Sequence, residues 1–235
     1  MHALVIVIIA SHMLANPART QAQNTLTPAE HSAGWVLLFD GTSAENFRGY
    51  RKDGMPSGWK VSNGTITRHA GGGDIITRDQ FDDFELMLDW KISKGGNSGI
   101  MFNVTEDKPN PWETGPEMQI LDDAPGMNRK HAAGANYDLH AAPEGITRPA
   151  GQWNQVRLVV DGDHVEYWLN GRLICAFELG SEQWNKDVAA SKFRTMPAFG
   201  KRDSGHICLQ DHGNEVWFRN IRIRTPESTR AASGG

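Results

Sequence analysis

Several short segments of the sequence carry amide, carboxylate, imidazole and guanidinium side chains at every second residue. In the run Glu117–Leu121, for example, apolar Met118 and Ile120 alternate with Glu117 and Gln119. Because successive side chains of a β-strand point to opposite faces, we expect the apolar set to face a core and the polar set to face away from it. The residues that this alternation places on outward faces are Asn97, Gly99, Met101, Asn103, Glu117, Gln119, Cys208, Gln210, His212, Trp217 and Arg219.

These outward side chains form one polar patch if the strands that carry them are neighbours in one sheet. Amide, carboxylate and guanidinium groups make paired hydrogen bonds, and such groups match the adjacent hydroxyls of a sugar. An ordinary solvated sheet face carries a mixture of Lys, Thr and Ser instead. The pattern therefore predicts a carbohydrate site, and a solvated face without a site is the alternative.

Turn signals between these segments predict an almost entirely β structure. Asn63-Gly64 and Asn170-Gly171 each separate two strand-like runs, and Asn-Gly supplies the positive φ angles of a type I′ hairpin turn. Alternation over 84–92 predicts a half-buried antiparallel strand. A short helix is expected over 181–192, and a bulge near Asn220 would explain the changed parity of the last strand. Roughly a dozen short strands in one domain predict an all-β jelly roll, a sandwich of two antiparallel sheets.

Length and charge narrow the classes of protein. The chain has 235 residues, with 24 basic and 28 acidic side chains, so one sizeable domain is expected. The net charge of −4 argues against nucleic acid or an anionic membrane surface as the main partner. Eight Trp residues fit both a core and a sugar-binding cleft. Cys175 and Cys208 would permit one disulfide in an oxidising compartment, and two buried thiols are the alternative.

The N-terminus resembles a secretory signal peptide. Residues 3–10 form an apolar run that is too short to span a bilayer, and small residues follow up to Ala22. We expect cleavage after residues 1–22 and a periplasmic or extracellular protein without a membrane span. The segment before the apolar run lacks Lys and Arg, so a retained leader is the alternative. The folded domain is expected over 34–225, followed by a polar tail over 226–235.

Seven motifs follow one another along the chain, at 34–42, 83–90 with 96–100, 115–122, 151–154, 168–171, 205–213 and 218–221. In this order they resemble the motifs of the 3-keto-disaccharide hydrolase family, formerly a domain of unknown function, and the likeness covers about 34–224. The resemblance implies a concanavalin A-like jelly roll that is secreted by bacteria. It also implies cleavage of glycosides already oxidised to a ketone at C3, through 1,2-elimination and hydration of a 3-keto-2-hydroxyglucal. A separate sugar 3-dehydrogenase that makes the substrate is implied as a partner.

A ketone at C3 acidifies the proton at C2, so elimination needs one base, one acid for the departing oxygen and donors for the enolate oxygen. Glu117 and His212 fit the acid and base roles, with His212 favoured as the C2 base. Arg219, Asn97 and Gln119 are predicted to hold the ketone and the neighbouring hydroxyls.

Further candidates are Gln210 and Tyr137 as substrate contacts and Trp59 as a stacking wall. No cofactor is required by this chemistry. A divalent metal ion held by Glu117, Asp122 and His212 is an alternative way to polarise the ketone.

Two other functions remain open from the sequence. The fold is shared with lectins, so a non-catalytic carbohydrate-binding module is one alternative. Direct hydrolysis of unoxidised glycans is the other, and a retaining glycosidase needs two carboxylates about 5–5.5 Å apart. The strand that carries Glu117 offers an amide at Gln119, and Asp122 has the opposite parity. This spacing therefore favours elimination over direct hydrolysis.

Overall fold

A computed structural model describes residues 23–201 and 204–226. The predicted leader over 1–22 and residues 227–235 of the predicted tail lie outside the described residues. The helices are short: α1 spans Pro28–Ser32 and α2 spans Glu182–Ala189, within the predicted helical segment. Single 3₁₀ turns cover Pro111–Glu113, Arg129–His131 and Lys192–Thr195. No helix in the described part of the chain is long and apolar enough to cross a membrane.

The rest of the ordered structure is β, as the turn signals predict. The strands are β1 (Val36–Leu37), β2 (Phe47–Gly49), β3 (Trp59–Ser62), β4 (Thr65–Arg68), β5 (Ile75–Thr77), β6 (Phe84–Ile92), β7 (Asn97–Val104), β8 (Glu117–Leu121), β9 (Asn154–Asp161), β10 (His164–Leu169), β11 (Arg172–Glu178), β12 (His206–Leu209) and β13 (Val216–Arg224).

The strands form two antiparallel sheets, which confirms the predicted jelly-roll sandwich. The large sheet has the order β11-β10-β9-β6-β13-β4-β3, with β1 paired to β13, and the small sheet has the order β2-β5-β12-β7-β8. The predicted Asn-Gly hairpins are β3–β4 and β10–β11, and Asn63 and Asn170 both have positive φ. The predicted bulge is also confirmed, because the β13–β6 register shifts between Arg219 and Arg222 and Asn220 has a φ of 54°.

Each face of the small sheet packs differently. Ile75, Ile100 and Leu209 belong to the main core that lies between the sheets. Their sequence neighbours Ile76, Met101 and Cys208 form, together with Tyr50 and Val104, a second, smaller apolar cluster, and Trp112 packs against it. This outer face of the small sheet therefore has an apolar centre and polar margins. Such a surface is suited to form the floor of a cleft.

The two cysteines are free thiols, so the disulfide that the sequence left open does not form. Cys175 lies on β11 of the large sheet, whereas Cys208 lies buried on β12 of the small sheet. Their separation between the sheets is the reason that they do not meet.

Candidate active site

Strand register brings the predicted residues of β7, β8 and β12 together on the outer face of the small sheet. Met101 is opposite Cys208 on one side and opposite Glu117 on the other. Gly99 is opposite Gln119 and accepts, through its carbonyl oxygen, a hydrogen bond from the backbone N–H of Gln210. Directly opposite residues of an antiparallel pair share a face. These three strands are therefore neighbours in one sheet, as a common site requires.

A cavity of about 540 Å³ opens on this face. Its lining residues are Asp74, Trp112, Glu117, Lys192, Gln210, Asp211 and His212. Both predicted acid–base residues, Glu117 and His212, line it. Their catalytic roles stay predictions, but the fold brings to one cavity two groups that are 95 positions apart in the sequence (212 − 117).

Glu117 is the most deeply buried acid of the cavity, with 5% of its surface exposed. Burial raises the pKa of its carboxyl from the usual 4.5 to about 7, with a further upward contribution from Asp74 and an opposing one from Lys192. A carboxyl that titrates near neutral pH is half protonated there, so it can donate a proton to a departing oxygen.

The position of the Glu117 carboxyl depends on Gly99 across the strand pair. A Cβ atom at Gly99 would lie 2.2 Å from Oε1 of Glu117 and 2.8 Å from its Cδ. The Glu117 side chain therefore occupies the space above Gly99, and a side chain at that position would displace the carboxyl.

His212 follows a rigidly held segment and is itself exposed at the cavity mouth. Asp211, its neighbour, makes a buried ion pair with Arg68, with 2.6 Å between Nε and Oδ1, and accepts hydrogen bonds from the backbone N–H groups of Gly72 and Gly73. The backbone N–H of Asp211 donates to Oδ1 of Asp74 at 2.7 Å. These contacts fix the backbone beside an imidazole that solvent and substrate can reach.

Asp74 is a lining residue that the sequence argument missed. Burial raises the pKa of its carboxyl to about 6, Asp211 raises it further, and both its hydrogen bond from the Asp211 N–H and the charge of Lys52 lower it. Alternation could have found it, because Ile75 faces the main core and Asp74 must then face outward with Ile76. Trp112 and Lys192 were missed for a different reason, since they lie in 3₁₀ turns without a strand period.

Two predicted substrate contacts, Gln119 and Gln210, have buried side chains with unsatisfied oxygens. Their exposed fractions are 3% and 7%, and Oε1 of each has no hydrogen-bond partner among the described residues. The amide Oδ1 of Asn97 is also buried and unpartnered there. An unpaired buried acceptor costs free energy, and Gln210 lines the cavity, so its oxygen is expected to accept a hydrogen bond from a ligand. Gln119 and Asn97 lie on the same sheet but are not among the lining residues, so their substrate contacts stay predictions.

Tyr137 lies next to the cavity. Its backbone N–H donates to the carbonyl oxygen of Glu117 at 3.0 Å, and its ring stacks on His131 at 4.8 Å. The ammonium of Lys192 lies 4.1 Å from the centre of the same ring. Burial, followed by the charges of Glu117 and Asp138, raises the pKa of the Tyr137 hydroxyl. This placement is compatible with the predicted substrate contact, which stays a prediction.

Two predicted site residues belong to the other sheet, and this placement corrects the sequence argument. Arg219 lies on β13 of the large sheet, where Nε donates to Oδ2 of Asp89 at 3.1 Å and the guanidinium covers the ring of Trp153 at 3.9 Å. Trp59 is 4% exposed within the main core and stacks on Phe218. Alternation gave the right face within a strand, but it could not tell which sheet the strand joins.

The predicted metal-ligand set is not assembled either. Asp122 lies outside the cavity, and its two oxygens accept hydrogen bonds from the backbone N–H groups of Gly95 and Ala150. Within residues 23–201 and 204–226, no group of three His, Cys, Asp or Glu side chains is placed to hold a metal ion. The proposed triple of Glu117, Asp122 and His212 therefore does not fit a metal.

The fold is a jelly roll with a cavity on its small sheet, and comparison with known proteins shows a carbohydrate-active enzyme. A family model described as the 3-keto-alpha-glucoside-1,2-lyase-like domain matches residues 34–224. The chain is 34% identical over 226 residues to the 3-keto-disaccharide hydrolase of Bacteroides thetaiotaomicron. The alignment covers 81% of this chain and 78% of that protein.

Solved structures give the same result. A Parabacteroides distasonis protein described as a candidate glycosyl hydrolase is 33% identical, with a TM-score of 0.81 over 86% of this chain and 99% of that one. A second protein of that organism, with the same description, is 27% identical with a TM-score of 0.67, over 81% of this chain and 98% of that one. The chain belongs to the 3-keto-alpha-glucoside-1,2-lyase-like family and is a glycoside-cleaving enzyme.

Proposed function

We propose that this enzyme cleaves glycosides whose sugar carries a ketone at C3, by removal of the C2 proton, elimination of the C1 substituent and hydration of the 3-keto-2-hydroxyglucal. The observation that carries the proposal is a single cavity shared by the buried Glu117 carboxyl, with its pKa of about 7, and the exposed imidazole of His212. The name of the Bacteroides relative, a 3-keto-disaccharide hydrolase, supports the same substrate class.

The proposed reaction assigns one proton transfer to each residue. His212 takes the proton from C2, and the electron pair of the C–H bond forms an enolate with the charge on the C3 oxygen. The C3 carbonyl then re-forms, a C1–C2 double bond appears, and the C1–oxygen bond breaks while Glu117 protonates the departing oxygen. Addition of water across C1 and C2 completes a net hydrolysis. The unsatisfied amide oxygen of Gln210, which lines the cavity, accepts a hydrogen bond from a sugar hydroxyl.

A second candidate, direct hydrolysis of unoxidised glycosides, is favoured by one observation. Asp74 lies in the same cavity as Glu117, so the site holds a further carboxyl that the sequence argument did not count. A retaining mechanism would use one ionised carboxylate as nucleophile and one protonated carboxyl as acid. The substrate decides between the two candidates, because only elimination requires the ketone.

The test compares one glucoside with its C3-oxidised form under identical conditions. We expect release of the aglycone and appearance of the 3-keto-2-hydroxyglucal, followed by NMR, from the oxidised glucoside alone. His212→Ala should lower this rate on the order of 10²- to 10⁴-fold, which is the usual contribution of a general base. His31→Ala, an exposed imidazole on α1, is the matched control and should keep full activity.

Cleavage of the unoxidised glucoside would select direct hydrolysis, and binding of either sugar without turnover would select a lectin-like module. Full activity in His212→Ala would contradict the assignment of the base.

We propose further that the enzyme is secreted, because residues 1–22 have the sequence features of a signal peptide. The oxidised substrate would then come from a separate sugar 3-dehydrogenase. Expression of the full chain in a bacterium and intact mass measurement of the periplasmic and secreted protein should give a mature chain that starts at Gln23. A cytoplasmic protein that retains residues 1–22 would contradict this localisation.

A further inference from the structure

The cavity is rich in carboxyls and poor in cations. Asp74, Glu117 and Asp211 all line it, and Asp211 is neutralised by its ion pair with Arg68. Among the described residues that line the cavity, Lys192 carries the sole ammonium or guanidinium group. Arg219, which the sequence suggested for the ketone, is bound to Asp89 in the other sheet. Asn97 and Gln119, the other residues predicted to hold the ketone, are not among the lining residues either, so an enolate formed here needs another donor.

Local structure holds Lys192 at the cavity rim. Lys192 begins a 3₁₀ turn, and its backbone N–H donates to Oδ2 of Asp138 at 2.8 Å. The other oxygen of Asp138 lies 3.0 Å from Nε2 of His131, and the His131 ring stacks on Tyr137. Nζ of Lys192 lies 4.1 Å from the centre of the Tyr137 ring, which is the other ring of this stack. The ammonium is thus held by a connected set of contacts and not by solvent alone.

The charge of Lys192 also reaches the proposed catalytic carboxyl. Burial lowers the pKa of Lys192, and the charges of Glu117 and Asp138 oppose this shift, while Lys192 in turn lowers the pKa of Glu117. The side chains of Lys192 and Glu117 are therefore close enough to contact the same substrate in the cavity. Lys192 forms no salt bridge with Glu117, so its N–H groups stay available for a ligand in the cavity.

We propose that Lys192 is a further catalytic residue, whose Nζ–H donates a hydrogen bond to the C3 carbonyl oxygen of the substrate and stabilises the negative charge of the enolate. This inference rests on the proposed function. When the base removes the C2 proton, the C–H electron pair forms the C2–C3 double bond and the carbonyl π electrons move to the C3 oxygen. Lys192 keeps its proton throughout, and the charge returns from oxygen when the C1–oxygen bond breaks. A C3 hydroxyl develops no such charge, so this contact favours the oxidised sugar.

The test isolates the enolate from departure of the aglycone. The probe is 1,5-anhydro-3-keto-glucitol, which has a C2 proton next to the ketone but no aglycone at C1. In D₂O, the wild-type enzyme should exchange the C2 proton for deuterium, followed by NMR, faster than buffer alone. Lys192→Met keeps the alkyl stem over Tyr137 and should slow exchange on the order of 10²- to 10³-fold, as loss of one oxyanion donor does. Lys192→Arg should restore most of the rate.

Lys186→Met is the matched control, because Lys186 is an exposed lysine on α2 that pairs with Glu182 on the surface. It should exchange at the wild-type rate. If the wild type exchanges the C2 proton and Lys192→Met exchanges it at the same rate, the role of Lys192 is overturned and the proposed function remains. If the wild type neither exchanges the C2 proton nor cleaves 3-keto-glucosides, the role of Lys192 and the proposed function are both overturned. A borohydride-trapped adduct of probe and protein that Lys192→Met lacks would replace the hydrogen-bonded role by an imine.

Discussion

Glu117→Gln is expected to slow glycoside cleavage strongly and, at the same time, to stabilise the folded enzyme above pH 7. Gln has nearly the shape of Glu but cannot donate a carboxylic proton, so the rate should fall on the order of 10²- to 10⁴-fold. The folded pKa of about 7 lies above the ordinary value of 4.5, so the folded state binds more protons than the unfolded chain between these values. Stability is therefore lost as the pH rises through this window.

The Glu117→Gln variant does not lose this stability as the pH rises, because its amide has no proton to release. The difference in unfolding free energy between the variant and the wild type should grow from near zero at pH 4.5 to about 3 kcal/mol at pH 8, at about 1.4 kcal/mol for each unit of pKa shift. Denaturant unfolding at several pH values measures it. Glu182→Gln, an exposed acid on α2, is the control and should change neither activity nor this slope.

Two results would contradict this prediction. A Glu117→Gln enzyme with near-normal turnover would remove Glu117 from the chemistry. A stability difference that does not depend on pH would mean that the carboxyl is not held near neutrality by burial. Wild-type cleavage should also decline as the pH rises above about 7, because the protonated fraction of Glu117 falls there.

Gly99→Ala is expected to remove most of the activity without any change to a titratable group. The new Cβ would lie 2.2 Å from Oε1 of Glu117, at the flexible end of a side chain, so the carboxyl moves and the strand pairing survives. A misplacement of about 1 Å at a catalytic group costs on the order of 10²-fold in rate. Overpacking should cost about 1–3 kcal/mol of stability. Turnover of a 3-keto-glucoside and thermal unfolding measure the two effects.

The matched control for this substitution is Gly54→Ala. A Cβ at Gly54 meets nothing within 4 Å, and its backbone does not have positive φ. We expect this variant to match the wild type in both measurements. Normal activity in Gly99→Ala would show that the Glu117 carboxyl does not need the space above Gly99, and it would count against a precisely positioned acid.

Strand alternation predicted much of the site because period two is a local property of an extended chain. It gave the outward faces of β8, β12 and β7 as far as Met101, and with them the positions of Asn97, Gln119 and Gln210. The predicted outward position of Asn103 was wrong, because its φ of 54° marks a bulge after which Val104 joins the outer cluster. The Asn-Gly turns and the bulge at Asn220 were equally local, since each depends on a positive φ angle that a few residue types favour.

Prediction failed where the answer depended on the neighbours of a strand. Arg219 and Trp59 have the residue types of a sugar site, but β13 and β3 pair within the large sheet. The carboxylate of Asp122 accepts hydrogen bonds from the backbone N–H groups of Gly95 and Ala150, which belong to other segments of the chain. Lys192 enters the cavity from a 3₁₀ turn, and no period marks a residue of that kind.

The sequence by itself determined the fold class, the family motifs and the face on which Glu117 and His212 lie, because these follow from short-range backbone geometry and residue order. Only the tertiary structure decided which strands share the small sheet, how deeply Glu117 is buried and which cation stands near it. Burial sets the pKa of Glu117, and burial is the sum of contacts between distant segments. The chemistry of the site is therefore a property of the assembled sheets and not of any one motif.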